Sequence, residues 1–276
     1  MELAFQGQRV QPWPAPEGLA QLISRWLGDP KISKNFTLDS EIPATLATFA
    51  PFPDGLATPI ADALRRRGMN SLYSHQAEAF ERSTAGQPIV VATPTASGKS
   101  YCYLLPVLQS MAMEPEARAL FLFPTKALSR DQEAALRALM TDAGISHGAV
   151  TFDGDTPADA RRAARDRSGV ILTNPDMLHT GILPHHASWA RFFAGLKYVV
   201  IDELHTYRGV FGSHLANVLR RVDRIARFHG ATPRYIMASA TIGNPAEHAS
   251  KMLGRDVALI DRNGAPSGSK RVLVYN

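Results

Sequence analysis

Seven short apolar runs, separated by longer segments of helical character, constrain the fold of this chain more than any other feature. They are PIVVA (88–92), ALFLF (119–123), GAVTF (148–152), GVILT (169–173), KYVVI (197–201), RYIMA (234–238) and VALI (257–260). The runs are continuous rather than alternating, which is the pattern of strands buried on both faces. Between most of them lie stretches long enough for a crossover helix, so the pattern predicts an α/β fold, a parallel sheet with helices on both faces. With 45% hydrophobic and 20% charged residues the chain can bury a sizeable core, which excludes a disordered tail. One cysteine, Cys102, in 276 residues excludes an internal disulfide framework and a cysteine-rich zinc module within this segment; it reads as a packed small hydrophobe. No apolar run approaches about 18 residues and the opening residues lack a signal-peptide pattern, so a cytoplasmic protein with no membrane partner is expected. The net charge of +5 is compatible with a nucleic-acid partner without identifying one.

Residues 1–67 differ from this pattern and read as a mainly helical accessory extension. Prolines 12, 14 and 16 interrupt any early helix, and IADALRRRG after Pro59 reads as a helix stopped by Gly68. Arg65, Arg66 and Arg67 then form a solvated helix end, and Trp13 and Trp26 are expected to anchor the extension on the α/β lobe. Residues 68–265 carry the sheet, and 266–276 read as a linker and the first strand of a second lobe.

In an open parallel sheet ligands bind beyond the carboxyl ends of the strands. After PIVVA comes Thr93-Pro94-Thr95-Ala96-Ser97-Gly98-Lys99-Ser100, followed by a helical run. It resembles the phosphate-binding P-loop, with Thr93 where the first glycine would stand. In such a loop backbone N–H groups and a helix N-terminus cradle phosphates, Lys99 reaches the β/γ oxygens and the Ser100 hydroxyl ligates Mg²⁺. After KYVVI come Asp202 and Glu203, two adjacent carboxylates that are costly to bury without a cation. With a P-loop expected on a neighbouring strand that cation would be Mg²⁺, with Asp202 holding the metal and Glu203 orienting and deprotonating the attacking water; a helix N-terminus enriched in acids is the alternative.

TPTASGKS, Asp202-Glu203-Leu204-His205 and Ser239-Ala240-Thr241 together resemble motifs I, II and III of superfamily 2 DExH helicases, whose lobes are RecA-like. Tyr73-Ser74-His75-Gln76 is similar to the adenine-reading Q motif, in which Gln76 would pair with adenine. Pro124, Thr125 and Lys126 resemble motif Ia, and Thr173 and Asn174 motif Ib. The resemblance implies ATP and Mg²⁺ as cofactors, Lys99, Asp202, Glu203 and His205 as catalytic residues, and Ser239–Thr241 as the coupling motif reached from His205 through a hydrogen bond to Ser239 or Thr241. Thr151–Pro157 and the run from Asp202 to Arg221 are similar to the mitomycin repair factor A group and the fungal RecQ-four-like helicases. That group implies an ATP-driven 3′–5′ DNA translocase with a zinc domain for which this segment has no cysteines.

Short hydroxyls and helix N-termini at Pro124, Thr125, Lys126, Thr173 and Asn174 suit the phosphates of single-stranded DNA, with RNA open as well. The acids of the Asp153-Gly154-Asp155 loop would repel phosphate. Arg161, Arg162, Arg165 and Arg167 read as a solvated helix face or a DNA groove, and Arg220, Arg221, Arg224 and Arg227 as a DNA or partner surface or a solvated face. His185 and His186 lack the acidic or cysteine partners a metal site needs. No counterpart of motifs IV to VI, or of their arginine finger, follows residue 265, so the chain is expected to be the N-terminal lobe of a helicase whose second RecA-like lobe lies elsewhere. A truncated, nucleotide-regulated nucleic-acid-binding module, an RNA helicase lobe and a non-helicase P-loop ATPase are the alternatives, and the oligomeric state is open.

Overall fold

The computed structural model describes residues 18–276; the prolines at 12–16 and Trp13 lie outside them. In chain order the elements are α1 (Leu19–Gly28), α2 (Pro30–Ser33), β1 (Phe36–Ile42), β2 (Phe49–Ala50), α3 (Thr58–Arg66), β3 (Leu72–Tyr73), α4 (Ser74–Thr84), β4 (Ile89–Val91), α5 (Ser100–Met113), β5 (Arg118–Leu122), α6 (Lys126–Asp142), β6 (Gly148–Thr151), α7 (Ala158–Arg167) and β7 (Ser168–Thr173). Then come α8 (Pro175–Met177), which continues through a π turn and a 3-10 stretch into α9 (Ala190–Ala194), and β8 (Leu196–Ile201). The chain closes with α10 (Gly209–Phe228), β9 (Arg234–Ala238), α11 (Pro245–Leu253), β10 (Ala258–Ile260) and β11 (Lys270–Tyr275).

All seven anticipated strands form one sheet in the order β10-β4-β9-β8-β5-β7-β6, and every ladder in it is parallel. Successive side chains enter opposite cores. Val91, Phe121, Val200 and Ile236 join one cluster with α3 to α6, whereas Val90, Leu122, Ile201 and Met237 join a second with α9, α10 and α11. Neither face meets water, which is why these strands are spelled as unbroken apolar runs. Helix α10 buries Leu215, Val218, Leu219, Val222 and Ala226, a single stripe at three- and four-residue spacing, and leaves its arginines on the far side. Among the described residues no helix is long and apolar enough to cross a membrane.

The described residues divide into two compact units, one spanning 47–266 and a smaller one made of 18–46 together with Ser267–Asn276. The boundary expected after residue 67 therefore moves to 46. Helix α3 buries Ile60, Ala61, Ala63 and Leu64 in the same core as the sheet. Strand β2 pairs with β3. Arg66 donates to the Asp142 carbonyl and Arg67 Nε to the Asp142 carboxylate at 2.7 Å, so two of the three exposed arginines also tie the end of α3 to the end of α6. Strand β11, in the segment expected to open a second lobe, pairs antiparallel with β1 in the smaller unit.

Leu64 is fully buried. Leu64→Ala should lower stability by about 2–5 kcal/mol in urea denaturation of the chain. A loss under about 0.5 kcal/mol, typical of a surface position, would show that 47–67 is not part of the lobe.

Candidate nucleotide and nucleic-acid site

Strands β4, β9 and β8 are adjacent in that order, so the motif after β9 sits between the P-loop and the acidic pair. The P-loop strand is thus one removed from the Asp202 strand and not its neighbour as expected. The ladders run on into the motifs: Asp202 N–H donates to the Leu122 carbonyl (3.0 Å) and Ser239 N–H to the Val91 carbonyl (2.9 Å).

The P-loop is held from outside. Its Ser97 carbonyl accepts from His75 Nε2 and its Gly98 carbonyl from Gln76 Nε2, both at 3.0 Å. Lys99 Nζ donates to the carbonyls of Thr93 (2.9 Å) and Pro94 (2.8 Å). The buried hydroxyls of Thr93 and Ser97 meet at 2.7 Å, so threonine at the first position of the pattern braces the loop. Ala96 and Gly98 have φ of 62° and 77°, and a Cβ on Gly98 would lie 2.6 Å from Gln76 Nε2, so a larger residue there would both strain the backbone and displace the Gln76 amide. Pro94 and Thr95 are exposed. Among the described residues the backbone N–H groups of Ala96, Ser97, Gly98 and Lys99 find no acceptor, and the N-terminus of α5 follows at Ser100. Such a concave run of free donors suits an oxyanion. Desolvation pulls the Lys99 pKa below its ordinary value, opposed by the nearby Glu203 and Asp202 carboxylates.

Burial pushes the Asp202 pKa up and the Glu203 carboxylate adds to it, while the Glu203 N–H, Tyr103 and Lys99 act against the rise. Asp202 Oδ1 accepts from Glu203 N–H (2.8 Å) and Oδ2 from the Tyr103 hydroxyl (3.0 Å). The same phenol oxygen lies 3.2 Å from Ser100 Oγ. Tyr103 is 1% exposed and joins the two strand-end motifs; nothing in its spacing in the sequence marks it as a polar bridge. Ser100 and Asp202 are hard oxygen donors flanking one phenol, and the raised Asp202 pKa marks a carboxylate short of positive charge. That set fits a cation such as Mg²⁺.

Glu203 sits at φ 52°, a strained conformation for a residue with a Cβ. His205 Nδ1 accepts the Ala240 N–H at 3.2 Å, so the path to the third motif ends on its middle residue rather than on Ser239 or Thr241. That bond needs the Nδ1 lone pair, and the Glu203 carboxylate 3.3 Å away is therefore a neighbour and not an ion-pair partner in this tautomer. Ser239 is fully buried with its hydroxyl unpartnered among the described residues, and Thr241 is exposed.

Beside Gly98 a cavity of about 470 Å³ is lined by Phe49, Met69, Asn70, Tyr73, Gln76 and Tyr101, among others. Phe49 and Tyr73 stack at 5.4 Å. Gln76 is 1% exposed, and its Oε1 already accepts from Tyr73 N–H (3.0 Å). It straps Tyr73 to the P-loop, and both ends of the amide expected to pair with adenine make bonds within the protein here. Phe49 and Met69 went unnoticed because their segments are short and lie around the misplaced boundary.

On the edge beyond β5, Pro124 is half-buried, Thr125 caps α6 by accepting from Leu128 N–H (3.4 Å), and the exposed Lys126 pairs with Asp155 at 2.6 Å. Asp155 thus neutralises a cation of this face, and Asp153, 4% exposed, caps its own loop through Oδ1. Thr173 departs from expectation: it is 1% exposed and donates its hydroxyl to the Phe152 carbonyl at 2.6 Å, which takes it out of reach of a phosphate. Asn174 is half-buried and accepts from Met177 N–H (2.8 Å). Arg161 binds the carbonyls of Asp153, Gly154 and Thr156, so it shapes the loop rather than a groove. Cys102 is buried, with its thiol pKa raised by burial. His186 and His229 pair at 3.0 Å, and among the described residues no cluster of three or more metal-ligating side chains occurs.

The family model described as DEAD/DEAH box helicase matches residues 73–249. The chain is 49% identical over 260 residues to the uncharacterized ATP-dependent helicase YprA of Bacillus subtilis, covering 94% of this chain and 34% of that protein. It is 41% identical over 211 residues to the ATP-dependent helicase HRQ1 of Saccharomyces cerevisiae, covering 75% and 20%. A crystal structure of the DUF1998 helicase MrfA bound to DNA and AMPPNP superposes with a TM-score of 0.90 at 48% identity, covering 94% of this chain and 36% of that one. The chain therefore spans about a third or less of the length of these relatives.

A carboxyl whose folded pKa lies above its ordinary value of 3.8 weakens the native state wherever it is ionised. The penalty is absent below the ordinary value and grows as pH rises through the folded one. Asp202→Asn should accordingly raise the urea midpoint at pH 7, with the gain shrinking towards about pH 4. A variant less stable at pH 7 than the wild type would contradict this electrostatic reading.

Proposed function

The chain belongs to the DEAD/DEAH box helicase family, and from that premise we propose that it is the RecA-like, ATP-binding lobe of an ATP-dependent DNA helicase. The observation that carries the reading is the convergence of Ser100, at the head of the P-loop helix, and Asp202, at the end of β8, on the Tyr103 hydroxyl. In this reading the free N–H groups of Ala96–Lys99 receive the phosphates, and Lys99 exchanges its bonds to the Thr93 and Pro94 carbonyls for phosphate oxygens. Ser100 and Asp202 hold Mg²⁺, which when bound supplies the positive charge that neutralises phosphate oxygens. Glu203 orients and deprotonates the water, and the base lies in the cavity beside Tyr73. His205, through Ala240, reports the state of this site to the motif after β9. Single-stranded DNA runs across Pro124, Thr125, Lys126 and Asn174, its phosphate displacing Asp155 from Lys126. The names of the relatives support ATP and DNA, and the resemblance to the mitomycin repair factor A group supports DNA repair and 3′–5′ movement.

By the family resemblance, fast hydrolysis in this reading draws an arginine from a second RecA-like lobe, worth about 10³–10⁵ in rate.

The test is binding by this chain. A fluorescent ATP analogue should bind saturably with Mg²⁺ and be lost in Lys99→Ala. Single-stranded DNA should bind with a salt dependence whose slope falls by about 1 in Lys126→Ala. Nucleotide binding without any DNA binding at low salt would replace the proposal with a non-helicase P-loop ATPase.

A further inference from the structure

We infer that His75 is a positioning residue of the nucleotide site, setting the Ser97–Gly98 peptide of the P-loop and anchored for that task by the backbone of Gly264. The inference rests on the reading of the P-loop as the phosphate cradle.

His75 is fully buried, and both ring nitrogens are used: Nε2 meets the Ser97 carbonyl at 3.0 Å and Nδ1 the Gly264 N–H at 3.1 Å. A backbone N–H can only donate, so Nδ1 must hold a lone pair and the ring proton must sit on Nε2, where it is donated to Ser97. The two bonds select one neutral tautomer. Burial lowers the His75 pKa, in keeping with a ring kept neutral. The imidazole lies parallel to the Tyr73 ring at 5.9 Å, which fixes its plane.

The consequence for the loop comes from peptide geometry. In a trans peptide the C=O and the following N–H point in opposite directions. A Ser97 carbonyl drawn to His75 turns the Gly98 N–H the other way, and a Gly98 carbonyl drawn to Gln76 does the same for the Lys99 N–H. Two neighbouring side chains at the start of α4 therefore aim two successive donors away from α4. Without the His75 proton the Ser97 peptide can turn over and present a carbonyl oxygen where a phosphate oxygen should rest.

The anchor is equally constrained. Gly264 follows β10, and its carbonyl accepts from Thr48 N–H (2.8 Å), whose own carbonyl accepts from Ser74 N–H (2.9 Å). A Cβ on Gly264 would lie 2.7 Å from Ser74 N and 2.9 Å from Thr48 O, so only glycine brings its N–H this close to His75. Asn263 closes the turn by accepting from Ala265 N–H (3.0 Å). Hence the segment leaving the last strand of the large sheet is joined to the P-loop through one imidazole.

Two substitutions separate the two bonds. Glutamine can place an N–H near the Nε2 position, and asparagine an acceptor near the Nδ1 position. His75→Gln should bind the fluorescent ATP analogue with Mg²⁺ within about threefold of wild type but expose the Gly264 amide to hydrogen exchange. His75→Asn should keep Gly264 protected and weaken the analogue about tenfold, the loss of one hydrogen bond of about 1.4 kcal/mol. Wild-type affinity in His75→Asn, or equal losses in the two variants that follow their thermal stabilities, would overturn the assignment. Because asparagine can unfold the chain without informing on the bond, ¹⁵N spectra of the wild-type imidazole give a second reading: a neutral ring protonated at Nε2 supports the role, and Nδ1 protonation overturns it. Lys99→Ala measured alongside keeps the two readings apart. If the wild type binds no nucleotide, the cradle reading falls and the role of His75 with it; if Lys99→Ala alone loses binding while His75→Asn keeps it, only the role of His75 falls.

Discussion

Because every ladder of the sheet is parallel, each strand delivers its carboxyl end to the same edge. That constraint organises everything else in the lobe. Residues that are distant in sequence, Thr93–Ser100 after β4, Asp202–His205 after β8 and Ser239–Thr241 after β9, become neighbours because their strands are. The ladder bonds of Asp202 to Leu122 and of Ser239 to Val91 extend the rigidity of the sheet into the loops, so the polar groups are placed by backbone that is buried on both faces. Position comes from the apolar runs, and chemistry from the polar loop at the carboxyl end of each.

The site is built at a cost in stability. Burial raises the Asp202 pKa, so its surroundings disfavour the charged carboxylate, and Ala96 and Glu203, both carrying a Cβ, occupy left-handed backbone, a conformation worth about 1–3 kcal/mol of strain each. Such features persist where surrounding contacts over-determine them. Around Ala96 those contacts are the outward-facing bonds from His75 and Gln76 and the Thr93–Ser97 hydroxyl pair. Around Asp202 they are Tyr103 and the Glu203 N–H. Each of these side chains holds a neighbour in place, and the donors that remain free are the backbone N–H groups of the loop.

Much of this was readable from the residues. Unbroken, β-branched runs such as KYVVI and RYIMA, short and set between helical stretches, read as strands covered on both sides, and GKS after a strand and before a helix has few other uses. What escaped depended on burial and on long-range partners. Thr173 has the side chain of a phosphate contact, yet its hydroxyl is consumed by Phe152. Gln76 is spelled as a base reader, yet both ends of its amide make bonds within the protein. Asp155 looked unsuited to a nucleic-acid face until its pairing with Lys126 was visible. The boundary near 67 misled because β2 and β3 are two residues long, too short for a periodic signal, and their pairing is what brings Phe49 to the cavity.

The central claim is that the P-loop and the acidic pair act as one nucleotide–metal site although β9 separates their strands. Electron paramagnetic resonance of Mn²⁺ titrated into the chain with a non-hydrolysable ATP analogue tests it most directly. Tight Mn²⁺ binding at one ion per chain, dependent on the nucleotide and lost in Asp202→Asn, is the predicted result. Mn²⁺ held equally well without nucleotide, or undiminished in Asp202→Asn, would contradict it.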